Sequence, residues 1–153
     1  MADVYSLDAQ ELQKYQPNRY PFLMIDRVTE VKPGSYAEGY KNLTNNEWFF
    51  PKHFEGHPNM PGALQLEAMA QMLTVAITTI DGLEGKVTHA IEHKVKFMKE
   101  VLPGDRMNIR ADLISWKRGI GKGKAICSVD QSIVSQADMM ITIPEILKSY
   151  LPE

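Results

Sequence analysis

HFEGHPNMPGALQLEAMAQMLTVAITTIDG occupies residues 53–82. From Ala63 to Ile80 it is a run dominated by Ala, Leu, Met, Val and Ile, entered through Pro61-Gly62 and stopped at Asp81-Gly82. That pattern predicts one helix about 27 Å long at about 1.5 Å per residue. Its apolar residues point in nearly every direction, so the helix is expected to be sheathed by the rest of the chain. Between Gly62 and Ile80 the one ionisable side chain is Glu67. A lone carboxylate on a buried helix is costly to desolvate, and the usual consequence is a carboxyl group that keeps its proton and can donate it.

The residues in front of the helix complete a chemical pattern. His53, Gly56, His57, Pro58, Pro61 and Gly62 make a rigid, irregular segment, because Gly and Pro interrupt helix while fixing the path of the chain. It delivers the His53 imidazole to the mouth of the helix. The helix start leaves free backbone N–H groups, that of Gly62 among them, and these favour a developing negative oxygen. Base, acid and N–H donors together suit proton abstraction beside a carbonyl with loss of a leaving group.

Composition narrows the classes. With 153 residues, 44% hydrophobic and 24% charged, the chain reads as one soluble domain, 1–153, able to remove roughly 70% of its unfolded surface from water. A formal net charge of −2 without basic runs gives no sign of nucleic acid. The single cysteine, Cys127, excludes an intrachain disulfide and fits a reducing cytoplasm. The N-terminus MADVYSLDAQELQKYQ lacks a signal or transit pattern, and Gln65, Glu67 and Gln71 inside the apolar run point to a protein interior, not a membrane.

Taken in order, a short helix is expected around Asp8–Tyr15 with Ser6 as cap, then an extended segment at Pro17–Pro21. Strands are expected over Phe22–Val31 and Ser35–Leu43, joined by a turn at Lys32-Pro33-Gly34. Asn45–Pro51 is a loop whose Trp48, Phe49 and Phe50 serve as core filler or as a pocket wall. Beyond the helix, strands are expected over Thr88–Val101, Arg106–Trp116, Lys124–Val129 and Ile133–Ile143, with the glycines of Arg118–Gly123 forming a hairpin. The order, strands, one long helix, then more strands, predicts an α+β domain with an antiparallel sheet curled around the helix. One sheet cannot easily cover such a helix or hide its own edges, so self-association is expected.

HFEGHPNMPGALQLEAMAQ, together with NRYPFLMIDRV, VKFMKEVLPGD and VSQADMMITIP in the same order, resembles the β-hydroxyacyl-[acyl-carrier-protein] dehydratases of the FabZ type over nearly the whole chain. The resemblance implies the hot-dog fold and dehydration of a (3R)-hydroxyacyl thioester in type II fatty acid biosynthesis. It implies acyl carrier protein as partner, no metal or cofactor, and a homodimer, often assembled as a trimer of dimers, with His53 of one subunit facing Glu67 of the other. By position, His53 matches the catalytic histidine, Glu67 the catalytic acid, Gly62 the residue whose N–H binds the thioester carbonyl, and Gln71 the glutamine that supports the acid. Glu67 in place of Asp disfavours the related dehydratase-isomerase.

Other readings compete. A hot-dog thioesterase would hydrolyse the same thioester, and a non-catalytic acyl-binding module would keep the tunnel alone. His53-x-x-x-His57 suggests a metal only weakly, because Gly56 and Pro58 prevent the helical geometry that converges two rings. His57 is expected to be structural, and His89 and His93 to lie on a strand surface. Lys94, Lys96 and Lys99 are expected to be solvated, with a basic docking face as the alternative. Asn18, Ala63 and Gln65 depart from the family pattern and leave the tunnel shape and acyl chain open.

Overall fold

The apolar run forms one helix, α1 (Gly62–Thr78), in a computed structural model that describes residues 3–153. Around it runs an antiparallel sheet made of β1 (Tyr5–Leu7), β2 (Arg27–Lys32), β3 (Tyr36–Asn42), β4 (His89–Phe97), β5 (Arg106–Lys117), β6 (Ile120–Val129) and β7 (Ser132–Thr142). Their spatial order is β1-β2-β3-β5-β6-β7-β4. After α1 the chain therefore travels to the far edge of the sheet, and β5, β6 and β7 meander across the space between. The helix packs chiefly on β3, β5, β6 and β7. This is the α+β arrangement that the order of elements predicts, and the hot-dog fold that the resemblance implies. A short helix, α2 (Pro144–Lys148), follows the last strand.

What lets helix and sheet approach is a strip of small residues on β6. Its inward positions are Gly121, Gly123, Ala125 and Cys127, all buried. A Cβ on Gly121 would stand 2.7 Å from Ile77 Cδ1, and one on Gly123 would stand 2.5 Å from Leu73 Cδ1 and 2.7 Å from the Asp112 carbonyl oxygen. The two glycines are thus seats for α1, not turn residues. The hairpin expected across Arg118–Gly123 is only Arg118-Gly119, with φ of 52° and 79°, the two left-handed residues of a tight primed turn. Strand β6 consequently begins at Ile120, four residues earlier than the glycine content predicts.

Other boundaries shift for reasons the structure supplies. β2 starts at Arg27, not Phe22, because the Gln71 side chain takes the Met24 N–H (2.8 Å) and the Phe22 carbonyl. Those backbone groups would otherwise enter a strand ladder. The expected N-terminal helix is a single 3-10 turn, Glu11–Lys14, capped by Asp8 instead of Ser6: Asp8 Oδ1 accepts from the N–H of Gln10 (2.8 Å) and Glu11 (2.9 Å), and Glu11 Oε2 accepts from the Asp8 N–H (2.8 Å). β1 and α2, with three and five residues, lack a periodic signal of their own. Of the aromatic run, Phe49 and Phe50 are core, while Trp48 is partly exposed and donates to the Pro21 carbonyl at 3.2 Å.

The β2–β3 turn closes the helix end. Gly34, at φ 73°, donates its N–H to the Ala76 carbonyl at 2.8 Å, satisfying a helix C-terminal acceptor. Lys41 is buried and held by Glu47 (3.0 Å) and Asp26 (3.4 Å), which ties β3 to the loop that carries the aromatic run.

The seat predicts its own test. Gly123→Ala forces a methyl group against backbone that cannot yield, so urea unfolding should show a loss of about 1–3 kcal/mol; an unchanged midpoint would mean that the close approach does not constrain the fold.

Candidate active site

Complete burial of α1 holds only for its second half. Gln71–Thr79 are buried, whereas Ala63, Leu66, Glu67 and Ala70 form a stripe at i, i+3, i+4 and i+7 that one chain leaves partly open. Glu67 therefore stands half-buried in a cleft of about 240 Å³, not enclosed as the lone carboxylate of an all-round apolar helix suggests. Its carboxylate is oriented: Gln71 Nε2 donates to Glu67 Oε1 at 2.9 Å. The same amide is pinned by its bonds to Met24 and Phe22, so it cannot rotate away. Gln16 Nε2 donates to the Gln71 carbonyl (3.3 Å), and Asn18 Nδ2 donates to Gln16 Oε1 (2.8 Å). A chain of amides thereby runs from the surface to the acid.

His53 is held as firmly, on a different part of the surface. Phe54 and His57 exchange both backbone hydrogen bonds (3.0 and 2.9 Å), the Asn59 N–H donates to the His53 carbonyl (2.9 Å), and Met60 is tied to the Val101 carbonyl (2.7 Å). The His53 ring stacks on Phe54, with centroids 4.1 Å apart. Nδ1 of His53 lies 3.0 Å from the Asn59 carbonyl oxygen. A carbonyl only accepts, so Nδ1 carries the hydrogen and Nε2 presents a lone pair. That is the tautomer of a base. His57 turns outward to Glu100 (2.8 Å), which separates it from His53, and no cluster with metal-ligand geometry exists among the described residues.

Gly62 opens α1 directly after Pro61, with no side-chain cap. Its N–H lies in the first turn, where helical acceptors are lacking. A Cβ there would stand 2.8 Å from the Phe97 ring, so a side chain at this position would require that ring to shift. Within one chain Glu67 and Gln71 share the cleft, but His53 and Gly62 do not line it.

The FabA-like domain model matches residues 16–138. The chain belongs to the FabA-like family. Within that family it is 42% identical over 140 residues to the 3-hydroxyacyl-[acyl-carrier-protein] dehydratase FabZ of Bacillus licheniformis, covering 91% of this chain and 97% of the relative. The protein of the same name from Clostridium novyi is 40% identical over 139 residues, covering 90% and 98%. These relatives place the chain on the FabZ branch. Among solved structures, the dehydratase heterocomplex ApeI:P from Xenorhabdus doucetiae superposes with a TM-score of 0.75 at 15% identity, over 93% of this chain and 97% of that one. A sigma28-regulated virulence protein of Campylobacter jejuni superposes at 0.68 and 14% identity, over 89% of each chain. At such identities these two speak for the fold alone.

Several residues of this FabA-like cleft escape a reading by spacing. Asn18, Thr74, Thr88, His89 and His93 all line it with Glu67. His89 and His93 are thus cleft residues and not simply strand-surface ones. Lys94 and Lys96 lie on the opposite, outer face of the sheet beside Lys124, with Lys99 beyond the strand end. Cys127 is no nucleophile: burial pushes its thiol up to about 12.

Two outcomes follow. Gln71→Leu leaves the Met24 N–H and Phe22 carbonyl unpaired and should lower unfolding free energy by about 2–4 kcal/mol, read by chemical denaturation; near-native stability would dissolve the anchoring role. Cys127 should resist Ellman's reagent in the folded protein and react promptly in denaturant, and rapid native labelling would contradict its burial.

Proposed function

We propose that the protein is a (3R)-hydroxyacyl-[acyl-carrier-protein] dehydratase of fatty acid biosynthesis, eliminating water to give the trans-2-enoyl thioester. The carrying observation is the setting of His53, whose Nδ1 is committed to the Asn59 carbonyl so that Nε2 is the nitrogen through which a proton would be taken up. The activity named for relatives at 40–42% identity supports the same reading.

The thioester carbonyl accepts from the Gly62 N–H, which stabilises negative charge as C2 loses its proton. His53 Nε2 takes that proton. Glu67, steered by Gln71, gives a proton to the C3 hydroxyl; the C3–O bond breaks and water departs. His53 and Glu67 are then left with their protonation reversed, and one proton passes back through solvent before the next turnover. The elimination is redox-neutral and consists of proton transfers, so its chemistry calls for no metal or redox cofactor.

The site is completed by a second copy. β4 is an edge strand of nine residues with one side unpaired and with exposed Ile91 and Phe97, the kind of edge that a partner covers. The homodimer sets His53 of one subunit against Glu67 of the other, and three dimers associate further. The substrate arrives on the phosphopantetheine arm of acyl carrier protein, in the cytoplasm. Among the described residues no helix is long and apolar enough to cross a membrane.

Purified protein should convert a 3-hydroxyacyl thioester on acyl carrier protein into a product lighter by one water. His53→Ala and Glu67→Gln should each reduce kcat by about 10² to 10⁴ while leaving the fold intact. Mixing the two inactive variants, unfolded and refolded together, should restore turnover, because a mixed dimer holds one site with both native groups; no recovery despite mixed dimers would place both residues in one subunit. Release of free acid would instead indicate a thioesterase, and an unchanged ligand a binding module.

A further inference from the structure

The His53 loop is anchored on both sides, and the upstream anchor is a buried charge. Downstream, the Met60 N–H donates to the Val101 carbonyl (2.7 Å). Upstream, the chain reaches His53 from Glu47 through two linked turns. The Phe50 N–H donates to the Glu47 carbonyl (3.3 Å), and the His53 N–H to the Phe50 carbonyl (3.4 Å). Both bonds lie beyond the usual N–H···O range, and Pro51 has no N–H to add another. Burial of Phe49 and Phe50 holds this segment in the core, yet apolar contact is non-directional and does not set where the turns begin.

Their beginning is set by Lys41. Its ammonium group has three donors, and each has an acceptor: Glu47 Oε1 (3.0 Å), the Asn42 carbonyl (2.9 Å) and Asp26 Oδ2 (3.4 Å). Asp26 is itself fixed, since Oδ2 also accepts from the Asn42 N–H (2.6 Å) and its own N–H donates to the Tyr40 carbonyl (2.9 Å). The side chains of Lys41 and Glu47 are only 9% and 18% exposed, so solvent ions screen their attraction little. A shielded pair of this kind returns little net stability over an apolar filling of the same volume, whereas it holds its partners in one orientation. Resting on the dehydratase function above, we propose that Lys41 is a positioning residue for His53: by gripping Glu47 it fixes the residue at which the turns leading to the imidazole start. In this role Lys41 acts through the backbone and exchanges no proton with the substrate.

The test is a pair of double-mutant cycles on the whole chain, read as dehydration of a 3-hydroxyacyl thioester on acyl carrier protein. Lys41→Met removes the grip from one side; Glu47→Ala removes it from the other and leaves Lys41 paired with Asp26. Each should lower kcat about 10- to 100-fold, the effect of a misplacement of about 1 Å, with KM nearly unchanged. In a His53→Ala background neither should lower kcat further, since the imidazole being positioned is gone. Equal losses in both backgrounds would mean that the pair supports the fold in general, and would overturn the proposal. Wild-type kcat in the variants, or a rise in KM alone, overturns it as well and leaves the dehydratase standing. Should one variant fail to fold, the cycle of the other decides; should neither fold, the pair is a folding element and the proposal falls. No loss of water by the wild type would remove the dehydratase function itself, and the positioning role with it.

Discussion

A primary amide buried in the middle of a helix must find partners for its oxygen and nitrogen, and the way Gln71 does so organises the site. Its Oε1 accepts from the Met24 N–H, and its Nε2 donates both to the Phe22 carbonyl and to Glu67. An unsatisfied amide there would cost on the order of 1–3 kcal/mol. The solution joins three things that have separate origins in the sequence: the extended segment after Pro21, the buried half of α1, and the orientation of the acid. It also explains why that segment stays outside the sheet. Its backbone groups are spoken for by a side chain, so the strand ladder begins only at Arg27.

The helix can carry such a group because its other contacts are so close. Leu73 and Ile77 press into the positions that side chains at Gly123 and Gly121 would fill, and the Gly34 N–H caps the Ala76 carbonyl. Dense packing of this kind leaves little freedom for α1 to slide or rotate. A carboxylate four residues before Gln71, and so on the same face, inherits that rigidity. His53 obtains its rigidity differently, from loop hydrogen bonds closed by Asn59 and Met60, so the two proposed reacting groups are fixed by independent parts of the fold.

These particulars show what could and could not be read from the chain. The helix and the adjacency of Glu67 and Gln71 on one of its faces were legible because helical spacing converts directly into contact. The antiparallel sheet was legible from its hairpins. Three further features were hidden. Gly121 and Gly123 carry the composition of a turn but the role of a helix seat, and only the position of Leu73 distinguishes the two. Asn59 supplies a backbone carbonyl, which has no signature in residue identity. The open stripe at Ala63, Leu66, Glu67 and Ala70 looks like interior because its residues are mostly apolar, yet a single sheet does not reach it.

The histidines of β4 show the same difficulty in its sharpest form. In a regular strand, His89, Ile91 and His93 would all share one face. Here Ala90 pairs with Ile141 and Glu92 with Met140, which leaves Ile91 as an extra residue. The bulge exchanges the faces of everything that follows: Glu92, Lys94 and Lys96 turn to the outer surface, while Ala90 and His93 line the cleft. A continuous strand carrying Ala90 inward would have set Glu92 and Lys94 beside the acid and His93 in solvent. The chemistry that a substrate meets on this wall is therefore chosen by one unpaired residue, and the same irregularity falls on the strand whose outer edge is left open.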